Sequence, residues 1–494
     1  MKSVFLLSFV LIFLVTSNAF GSVDFTFSNI KSDDFFGHAV ELIGDLDGDG
    51  VIDIAVGAPY DNDGANSAGA VHILFLNSDG TVKSSQKISS VEGNFKEKLE
   101  PYDAFGRAVT NLGDFDGDGV TDIAVGAYHD DDGGYNTGAV YILFLNSDGT
   151  VKSSQKISSV EGNFKGVIDS GDCWGNAITV LNDLNGDGVT DIAVGAHKNY
   201  SPGSESKRIG AVHILFLNSD GTVKSSQEIS DTEGNFKEVL KDNNVFGIAL
   251  TNLNDLDGDG VTDIAVGAFG DNDGANSAGA VYILFLNSDG TVKSSQKISS
   301  VEGNFQIDLD DNDRFGYSID NIGDLNNDNI IDIAVGAPGD DDARELVSFE
   351  FDEINSYRGA VYILFLNSDG TVKSSQKISS AEGNFKEKLG PEDSFGFSLS
   401  KLGDLNGDGV TDIAVGSPHR YYSDSKLSPL HILFLNSDGK VISFETIPKQ
   451  YNVKNIFDGL YFLLIILLIV IISVLLIIKK FKLKNATKYN IFSN

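Results

Sequence analysis

The chain has 494 residues but a single cysteine, Cys173, so it cannot form an intramolecular disulfide. Exported proteins often rely on disulfides to hold their loops, and here that role needs another chemical basis. We interpret Cys173 as a small buried hydrophobic residue, because sister positions in the repeats described below carry Ala104, Val245, Arg314 or Ser394.

Positive charge is also scarce. Lysine and arginine together number 36 against 71 aspartates and glutamates, which gives a formal net charge of −35. So negative a surface argues against nucleic acid as a partner. The acidity does not predict disorder, however, because hydrophobic residues make up 41% of the chain and can supply a core.

Signals for catalysis are few. The chain has no Gly-x-Ser-x-Gly, His-Glu-x-x-His or phosphate-loop motif. Three of its seven histidines stand where sister repeats have tyrosine, which indicates an aromatic packing position rather than a metal ligand or a base. These histidines are His72, His213 and His431, and the tyrosines are Tyr141, Tyr282 and Tyr362. We therefore predict that the protein is not an enzyme.

Hydrophobic runs without a charge occur near each end of the chain. Val4–Val15 follows Met1-Lys2 and precedes the small residues Ser17-Asn18-Ala19, a pattern typical of a signal peptide over residues 1–19. This run is shorter than the roughly 20 residues that span a bilayer. The chain is therefore expected to enter the secretory pathway.

The second run, Leu460–Ile478, has the length and composition of a transmembrane helix. Four lysines follow it directly in the tail 479–494, and positive residues after a span indicate the cytoplasmic side. With 451–459 as a juxtamembrane segment, the sequence predicts a single-pass protein of the plasma membrane. Residues 20–450 would then lie outside the cell.

A nine-residue pattern occurs six times in the chain, beginning 69 to 80 residues apart. The first copy, Asp45–Asp53, has aspartates at positions 1, 3, 5 and 9 and glycine at position 6. These carboxylates, with the backbone carbonyl of position 7, form the oxygen array that calcium requires. We predict about one structural Ca²⁺ per repeat, which would replace the missing disulfides.

The predicted ligands are Asp45, Asp47, Asp49, Val51 and Asp53; Asp114, Asp116, Asp118, Val120 and Asp122; Asp183, Asn185, Asp187, Val189 and Asp191; Asp255, Asp257, Asp259, Val261 and Asp263; Asp324, Asn326, Asp328, Ile330 and Asp332; and Asp404, Asn406, Asp408, Val410 and Asp412. Asparagine at position 3 keeps an oxygen but removes a charge. Asn329 replaces the glycine of the fifth loop, and asparagine is the residue that best tolerates a left-handed backbone there.

Each repeat has the pattern of four strands. In the second repeat, Phe105–Val109 precedes the loop 114–122, and Ile123–Ala127 and Gly138–Leu145 are apolar on both faces. Thr150–Ile157 is polar and carries lysine, as suits an exposed edge. Polarity that rises from inner to outer strands predicts an all-β propeller, with six blades favoured and seven allowed.

Two other architectures are less consistent with this pattern. A β-sandwich would alternate polar and apolar residues on nearly every strand, and a linear solenoid would have polar capping repeats. Val23–Phe27 has strand alternation and could pair into the last blade to close a ring. The last repeat is the least regular, so we predict the closure there.

A second acidic set follows the Gly-Ala segment of several repeats and includes Asp61, Asp63 and Asp130–Asp132. In an up-and-down blade these acids lie at the end opposite the calcium loops. Insertions at 201–207 and 342–356 fall at that end as well. We consider solvated loop acids and ligand contacts equally consistent with the pattern, and expect any ligand at this end.

Together these motifs resemble a known family. Phe-Gly at 36, 105, 246, 315 and 395, Trp174-Gly175 in the third repeat, the aspartate loops, and Gly-Ala-Pro at 57–59 and 336–338 are similar to the FG-GAP repeat. That repeat builds the head propeller of integrin α subunits, and the resemblance covers roughly residues 23–445. It implies a calcium-binding cell-surface propeller that takes part in adhesion.

The chain also departs from integrin α subunits, which have seven repeats followed by leg domains. Its tail, Lys479-Lys480-Phe481-Lys482, lacks the Gly-Phe-Phe-Lys-Arg motif of that family. These departures argue against pairing with an integrin-type β subunit. The predicted partner is an extracellular protein or glycan ligand.

Two alternative functions stay open. Propellers also host hydrolases and lyases, and a cluster of histidine, arginine or tyrosine at the central channel would favour an extracellular enzyme. The third possibility is a structural protein of the surface coat.

Overall fold

The computed structural model describes residues 34–78, 81–198, 208–341, 357–390, 392–418 and 429–447. The predicted signal peptide, the strand Val23–Phe27, the insertions at 201–207 and 342–356, and the predicted transmembrane segment and tail lie outside these residues. Every regular element of the described part is a β-strand, and no helix in it is long and apolar enough to cross a membrane.

Six sheets of four antiparallel strands make up the described chain, and each repeat supplies one sheet. The strands are β1 Val40–Gly44, β2 Asp53–Ala58, β3 Ala70–Leu76 and β4 Val82–Ile88; β5 Phe105–Gly113, β6 Asp122–Ala127, β7 Ala139–Leu145 and β8 Val151–Ile157; β9 Trp174–Asn182, β10 Asp191–Ala196, β11 Ala211–Leu217 and β12 Val223–Ile229; β13 Leu250–Asn252, β14 Ile264–Ala268, β15 Ala280–Leu286 and β16 Val292–Ile298; β17 Ser318–Gly323, β18 Asp332–Ala337, β19 Ala360–Leu366 and β20 Val372–Ile378; and β21 Ser398–Gly403, β22 Asp412–Gly416, β23 Leu430–Leu435 and β24 Val441–Ile447.

Burial within a blade follows the predicted gradient. In the second blade, β6 and β7 are buried along their whole length, because neighbouring blades cover both faces. The outer strand β8 exposes Lys152 and Ser153 and buries only its ends, Val151 and Ile157. The predicted strand order is confirmed, although β5 runs four residues further than expected, to Gly113.

The blades form a closed ring rather than a row. The first strand of each blade lies beside the first strand of the next, and β1 of the first blade lies beside β21 of the last. At this junction the Ser398 hydroxyl donates a hydrogen bond of 3.0 Å to the Gly37 carbonyl. The fold is therefore an all-β propeller of six blades, which excludes the sandwich and the solenoid.

Repeated hydrogen bonds join neighbouring blades. The Val151 N–H donates to the Gly93 carbonyl at 2.8 Å, and the Asn94 side-chain amide donates to the Val151 carbonyl at 2.7 Å. Asn163, Asn235, Asn304 and Asn384 make the same amide contact with the next outer strand. The Gly-Asn-Phe sequence after the fourth strand of each of the first five blades thus fastens the outer edge of the following blade.

The Phe-Gly pair fastens the inner edge. The Phe105 N–H donates to the Ala68 carbonyl of the preceding blade at 2.9 Å. Gly106 follows with a φ of 90° and packs so closely that a Cβ would collide with the Ala70 carbonyl oxygen. Only glycine meets both conditions.

Aromatic side chains fill the space between blades. Phe95 and Phe105 stack with ring centroids 5.1 Å apart, and Tyr141 meets both rings edge-on. His213 and His431 take the tyrosine position against Phe164 and Phe385. The interpretation of these histidines as aromatic packing residues is therefore confirmed. Cys173 is buried as predicted, beside Ala104 and Tyr128.

Candidate metal loops and central channel

The six aspartate loops lie between the first and second strands of their blades. In the first loop, Asp45 accepts hydrogen bonds from the N–H groups of Asp49 and Gly50 at 2.9 and 2.8 Å. Asp47 and Asp49 accept from N–H groups two residues ahead. These bonds curl the loop around its own carboxylates, so that several oxygens face one point.

Left-handed backbone makes this curl feasible. Gly48 and Gly50 have φ values of 76° and 88°, which only residues tolerant of that region adopt without strain. In the fifth loop Asn327 and Asn329 take these positions with φ values of 61° and 66°. The expectation for Asn329 is confirmed, and Asn327 is a second left-handed asparagine that the sequence pattern did not indicate.

The aspartate at position 9 joins the loop to the sheet. Both oxygens of Asp53 accept backbone N–H groups, one from Leu46 in the loop and one from Leu76 at the end of β3, each at 3.0 Å. Burial raises the pKa of the matching residues, to about 6 for Asp122 and about 7 for Asp263. A divalent cation beside these carboxyls would favour their ionised form.

A lysine on the outer strand reaches each of the first five loops. Lys83 lies 2.7 Å from Asp47 Oδ2 and 2.5 Å from Asp49 Oδ2, and its hydrogen bond lowers the pKa of Asp49. Lys152 and Lys293 make the same two contacts, whereas Lys224 and Lys373 contact only the position 5 aspartates, Asp187 and Asp328. The outer strand of the sixth blade has Ile442 in place of this lysine. These lysines were predicted only as exposed edge residues.

Three of the loops gather carboxylate oxygens closely enough for a cation. Oxygens of Asp45, Asp47 and Asp53 lie within 4.8 Å of one another, as do those of Asp114, Asp116 and Asp122 and those of Asp255, Asp257 and Asp259. The other three loops have asparagine at position 3. The donor set is all oxygen and converges on one point, which fits calcium. The position 7 carbonyls stay predicted ligands.

The buried members of the second acidic set are structural, which corrects both of our interpretations for these residues. Asp130 is 2% exposed and lies 2.8 Å from Lys156 Nζ and 3.1 Å from the Tyr141 hydroxyl. Neither solvation nor direct ligand contact describes such a residue. Asp61, Asp271 and Asp340 are buried in the same way against Lys87, Lys297 and Lys377.

A sequence signal for these buried pairs does exist within the chain. The third and sixth blades have Glu228 and Thr446 where the others have the second lysine. These two blades also have no aspartate at the position of Asp61, where they have Asn199 and Arg420. The lysine and the acid are therefore lost together, as expected for two charges that stabilise each other in a buried site.

The first strands of all six blades surround a central channel of about 400 Å³. Glu41 and Asp320 line it, and burial raises the pKa of Glu41 to about 8 and that of Asp320 to about 6, with Asp320 also raising that of Glu41. The Asp320 carboxylate accepts the backbone N–H of Lys401. The channel therefore holds a protonated carboxyl group at neutral pH.

The channel end away from the aspartate loops is richer in aromatic and basic groups. Arg107 contacts His38, and its Nε donates to Asn176 Oδ1 at 2.8 Å. Its guanidinium lies 4.9 Å from the centre of the Tyr128 ring. Tyr317 and His197 are close enough to Arg107 to interact electrostatically with it. We expected such a cluster to favour an extracellular enzyme.

The FG-GAP repeat model matches residues 36–74, 105–143, 174–215, 246–284 and 395–441, which lie in five of the six blades. Integrin alpha-PS2 of Drosophila melanogaster is 31% identical over 247 residues, which are 49% of this chain and 16% of that protein. Integrin alpha-2 of Mus musculus is 31% identical over 240 residues, 48% of this chain and 18% of its own.

Integrin alpha pat-2 of Caenorhabditis elegans is 28% identical over 243 residues, 46% of this chain and 17% of that protein. The matches thus span less than a fifth of the length of these relatives. Five matched repeats, three such relatives and six four-stranded blades agree on one assignment. The chain is an FG-GAP repeat β-propeller that is similar to integrin alpha subunits.

Proposed function

We propose that this chain is a membrane-anchored, calcium-stabilised propeller of the cell surface that acts in adhesion or in binding an extracellular protein or glycan. The observation that carries the proposal is the convergence of oxygens from Asp114, Asp116 and Asp122 within 4.8 Å, on a fold whose relatives are named integrins. Calcium would hold the loops, and the opposite end would be available to a ligand.

In each loop the ion would be held by side chains at positions 1, 3, 5 and 9 and by the position 7 carbonyl. Its chemistry would be the neutralisation of carboxylates that otherwise repel one another. The protein's own residues supply the rest: Asp53 connects the loop to β3, and Lys83 contacts Asp47 and Asp49 of the same loop. Anchoring rests on the apolar run 460–478 and the lysines that follow it.

Cells that express the full chain provide the test. Wild-type cells should adhere to at least one member of an array of matrix proteins and glycans in calcium, and should detach in a chelator. The matched control is a variant with asparagine at Asp45, Asp114, Asp183, Asp255, Asp324 and Asp404, which keeps the size of each side chain but removes six charges. Equal adhesion by cells that do not express the chain would contradict the proposal.

Membrane topology needs a separate measurement. External protease should digest the propeller of intact cells and spare an epitope at the carboxyl terminus, which should become accessible only after permeabilisation. Loss of that epitope in intact cells would contradict the single-pass arrangement.

An extracellular hydrolase or lyase is the second candidate, and the cluster around Arg107 and His38 favours it. Arginine, histidine and tyrosine at one channel end can bind and polarise a substrate. Burial and the Arg107 charge lower the pKa of His38, so this imidazole is neutral. Turnover of glycoside or uronic acid polymers by the purified chain, abolished by His38→Gln, would support the enzyme over the adhesion protein.

A further inference from the structure

The residue after each Phe-Gly or Trp-Gly pair lines one end of the channel, and all six such residues differ. We call them the mouth ring: His38, Arg107, Asn176, Ile248, Tyr317 and Phe397. By contrast, Asp-Ile-Ala-Val-Gly is identical in all six blades. A ring that differs in every blade, beside a strand that is identical in all six, indicates that the ring serves recognition rather than folding.

The mouth ring is divided into two halves. The first three blades contribute the polar residues His38, Arg107 and Asn176, and the last three contribute Ile248, Tyr317 and Phe397. Neighbours around the ring touch: the Tyr317 and Phe397 ring centroids lie 4.7 Å apart within the apolar half, and those of Phe397 and His38 lie 5.1 Å apart where the two halves meet. A ligand at this mouth therefore meets hydrogen-bond donors on one side and apolar rings on the other.

Arg107 supplies the charge that this ligand would neutralise. No carboxylate of the described residues forms an ion pair with it, and its hydrogen-bonding neighbours His38, Asn176 and Tyr317 are uncharged. A guanidinium in a partly enclosed site normally has an anionic partner, because an unpaired charge loses solvation. Glu41 and Asp320 line the same channel, but neither forms an ion pair with Arg107.

Near the mouth ring, two imidazole nitrogens also lack a hydrogen-bond partner among the described residues. His38 Nε2 contacts the Arg107 guanidinium, so its proton lies on Nδ1, which is buried without a hydrogen-bond partner among the described residues. Nδ1 of His197, whose ring lies 6.3 Å from that of Tyr128, is also buried without a hydrogen-bond partner among the described residues. Such groups are costly unless a ligand or water completes them.

We propose that the mouth ring binds a single carboxylate joined to an apolar group, with the carboxylate at Arg107 and the apolar group against Ile248, Tyr317 and Phe397. The planar guanidinium suits a carboxylate because two parallel N–H groups can donate to its two oxygens. A polyanion is a poorer match, since exposed acids such as Asp131 lie at the same end of the blades. The carboxylate can belong to a free small molecule or to an acidic side chain beside an apolar residue.

This inference rests on the proposed binding function and can be tested independently of adhesion. The full chain in detergent is titrated with 4-phenylbutyrate, with its uncharged amide and with a capped Phe-Glu dipeptide, by calorimetry in calcium buffer. One carboxylate should bind per chain, and the amide should bind at least tenfold more weakly. Saturation by phenylbutyrate alone assigns a small-molecule ligand, and saturation by the dipeptide assigns an acidic peptide segment.

Variants separate recognition from folding. Arg107→Gln should weaken binding of the carboxylates at least tenfold, and Lys98→Gln should not, although it removes the same charge from an exposed residue between blades. Phe397→Ser should weaken binding of phenylbutyrate but not of acetate. Arg107→Lys provides a second test if the glutamine variant fails to fold, and it should retain part of the affinity.

The proposal is overturned if neither carboxylate probe saturates, if the amide binds as tightly as the acid, or if a folded Arg107→Gln protein binds normally. Carboxylate binding by a protein whose cells do not adhere would contradict the adhesion function and leave the mouth site standing. Adhesion that persists in Arg107→Gln cells would place the adhesive surface elsewhere.

Discussion

The ammonium group of Lys83 lies 2.7 Å from Asp47 Oδ2, on a loop that precedes it by 36 residues. Asp47 is also a predicted calcium ligand, so a bound ion and the lysine draw on the same carboxylate. The lysine provides positive charge for the loop when calcium is absent. In the sixth blade the outer strand has Ile442 in place of this lysine. The chain therefore has five loops with a lysine opposite them and one without.

Replacing all five lysines with isoleucine, as in the sixth repeat, should therefore have two opposite effects. The variant should be less stable than the wild type in a chelator, because the loop carboxylates repel one another without a counter-charge. It should bind calcium severalfold more tightly, because no ammonium group competes for the oxygens. Thermal melts in chelator and calcium titrations measure the two effects, and an unchanged calcium affinity would show that lysine and ion do not compete.

The buried pair of Asp130 and Lys156 predicts a large local effect on folding. Asp130→Asn should lower the free energy of unfolding by about 3 kcal/mol, because it leaves the Lys156 ammonium partly uncompensated in a buried site. Asp131→Asn is the matched control, since Asp131 is exposed and such changes cost about 0.5 kcal/mol or less. Denaturant unfolding measures both, and equal stability of the two variants would contradict the assignment.

Two glycines with similar backbone angles should differ in their tolerance of a side chain. Gly106→Ala should cost about 3 kcal/mol or more, since its left-handed φ is combined with a collision against the Ala70 carbonyl. Gly117 has a φ of 80° but no neighbour within 4 Å of the position that a methyl group would take, so Gly117→Ala should cost about 1–2 kcal/mol. Unfolding curves that coincide for the two variants would contradict this packing of the blades.

Glu41 predicts part of the pH dependence of stability. Its folded pKa of about 8 lies above the ordinary value of 4.5, so the folded chain keeps a proton that the unfolded chain releases. Its contribution is full below pH 4.5 and is lost as the pH rises to about 8, at about 1.4 kcal/mol per pH unit. The contribution of Asp320 to the free energy of unfolding is lost in the same way as the pH rises to about 6.

Glu41→Gln should therefore flatten the fall in stability between pH 6 and pH 8, the part of the window above the Asp320 pKa. Glu100→Gln, an exposed change on the connection between blades, should keep the slope of the wild type. The measurement is the free energy of unfolding at several pH values. A slope unaffected by Glu41→Gln would mean that this carboxyl is ionised in the folded channel.

Much of the architecture was predictable because the same sequence pattern occurs in all six repeats. The period of the aspartate loops, the apolar second and third strands and the polar fourth strand predicted four-stranded blades, and the exchange of His213 for Tyr141 predicted an aromatic position. These inferences depend on local patterns, which the sequence displays directly. The left-handed Asn329 was predictable for the same reason.

Long-range pairing was not predictable from such patterns. Lys83 and Asp47 are separated by two strands, and nothing in either local sequence marks them as partners. The burial of Asp130 depends on Tyr141 and Lys156, which approach it only in the folded blade. The mouth ring was missed because its six members share no residue type, and only the closed ring brings them together.

Calcium should control the stability of the folded chain, because six loops gather carboxylates that repel one another without an ion. Each site that binds only the folded chain should stabilise it by about 2.7 kcal/mol when calcium is at 100 times its Kd. The most direct measurement is a series of thermal melts of the full chain from excess chelator to millimolar calcium. The prediction is that the midpoint temperature of unfolding rises steadily with calcium in the wild type. It should rise little in the variant with asparagine at position 1 of all six loops. Melting curves that coincide with and without calcium would contradict it.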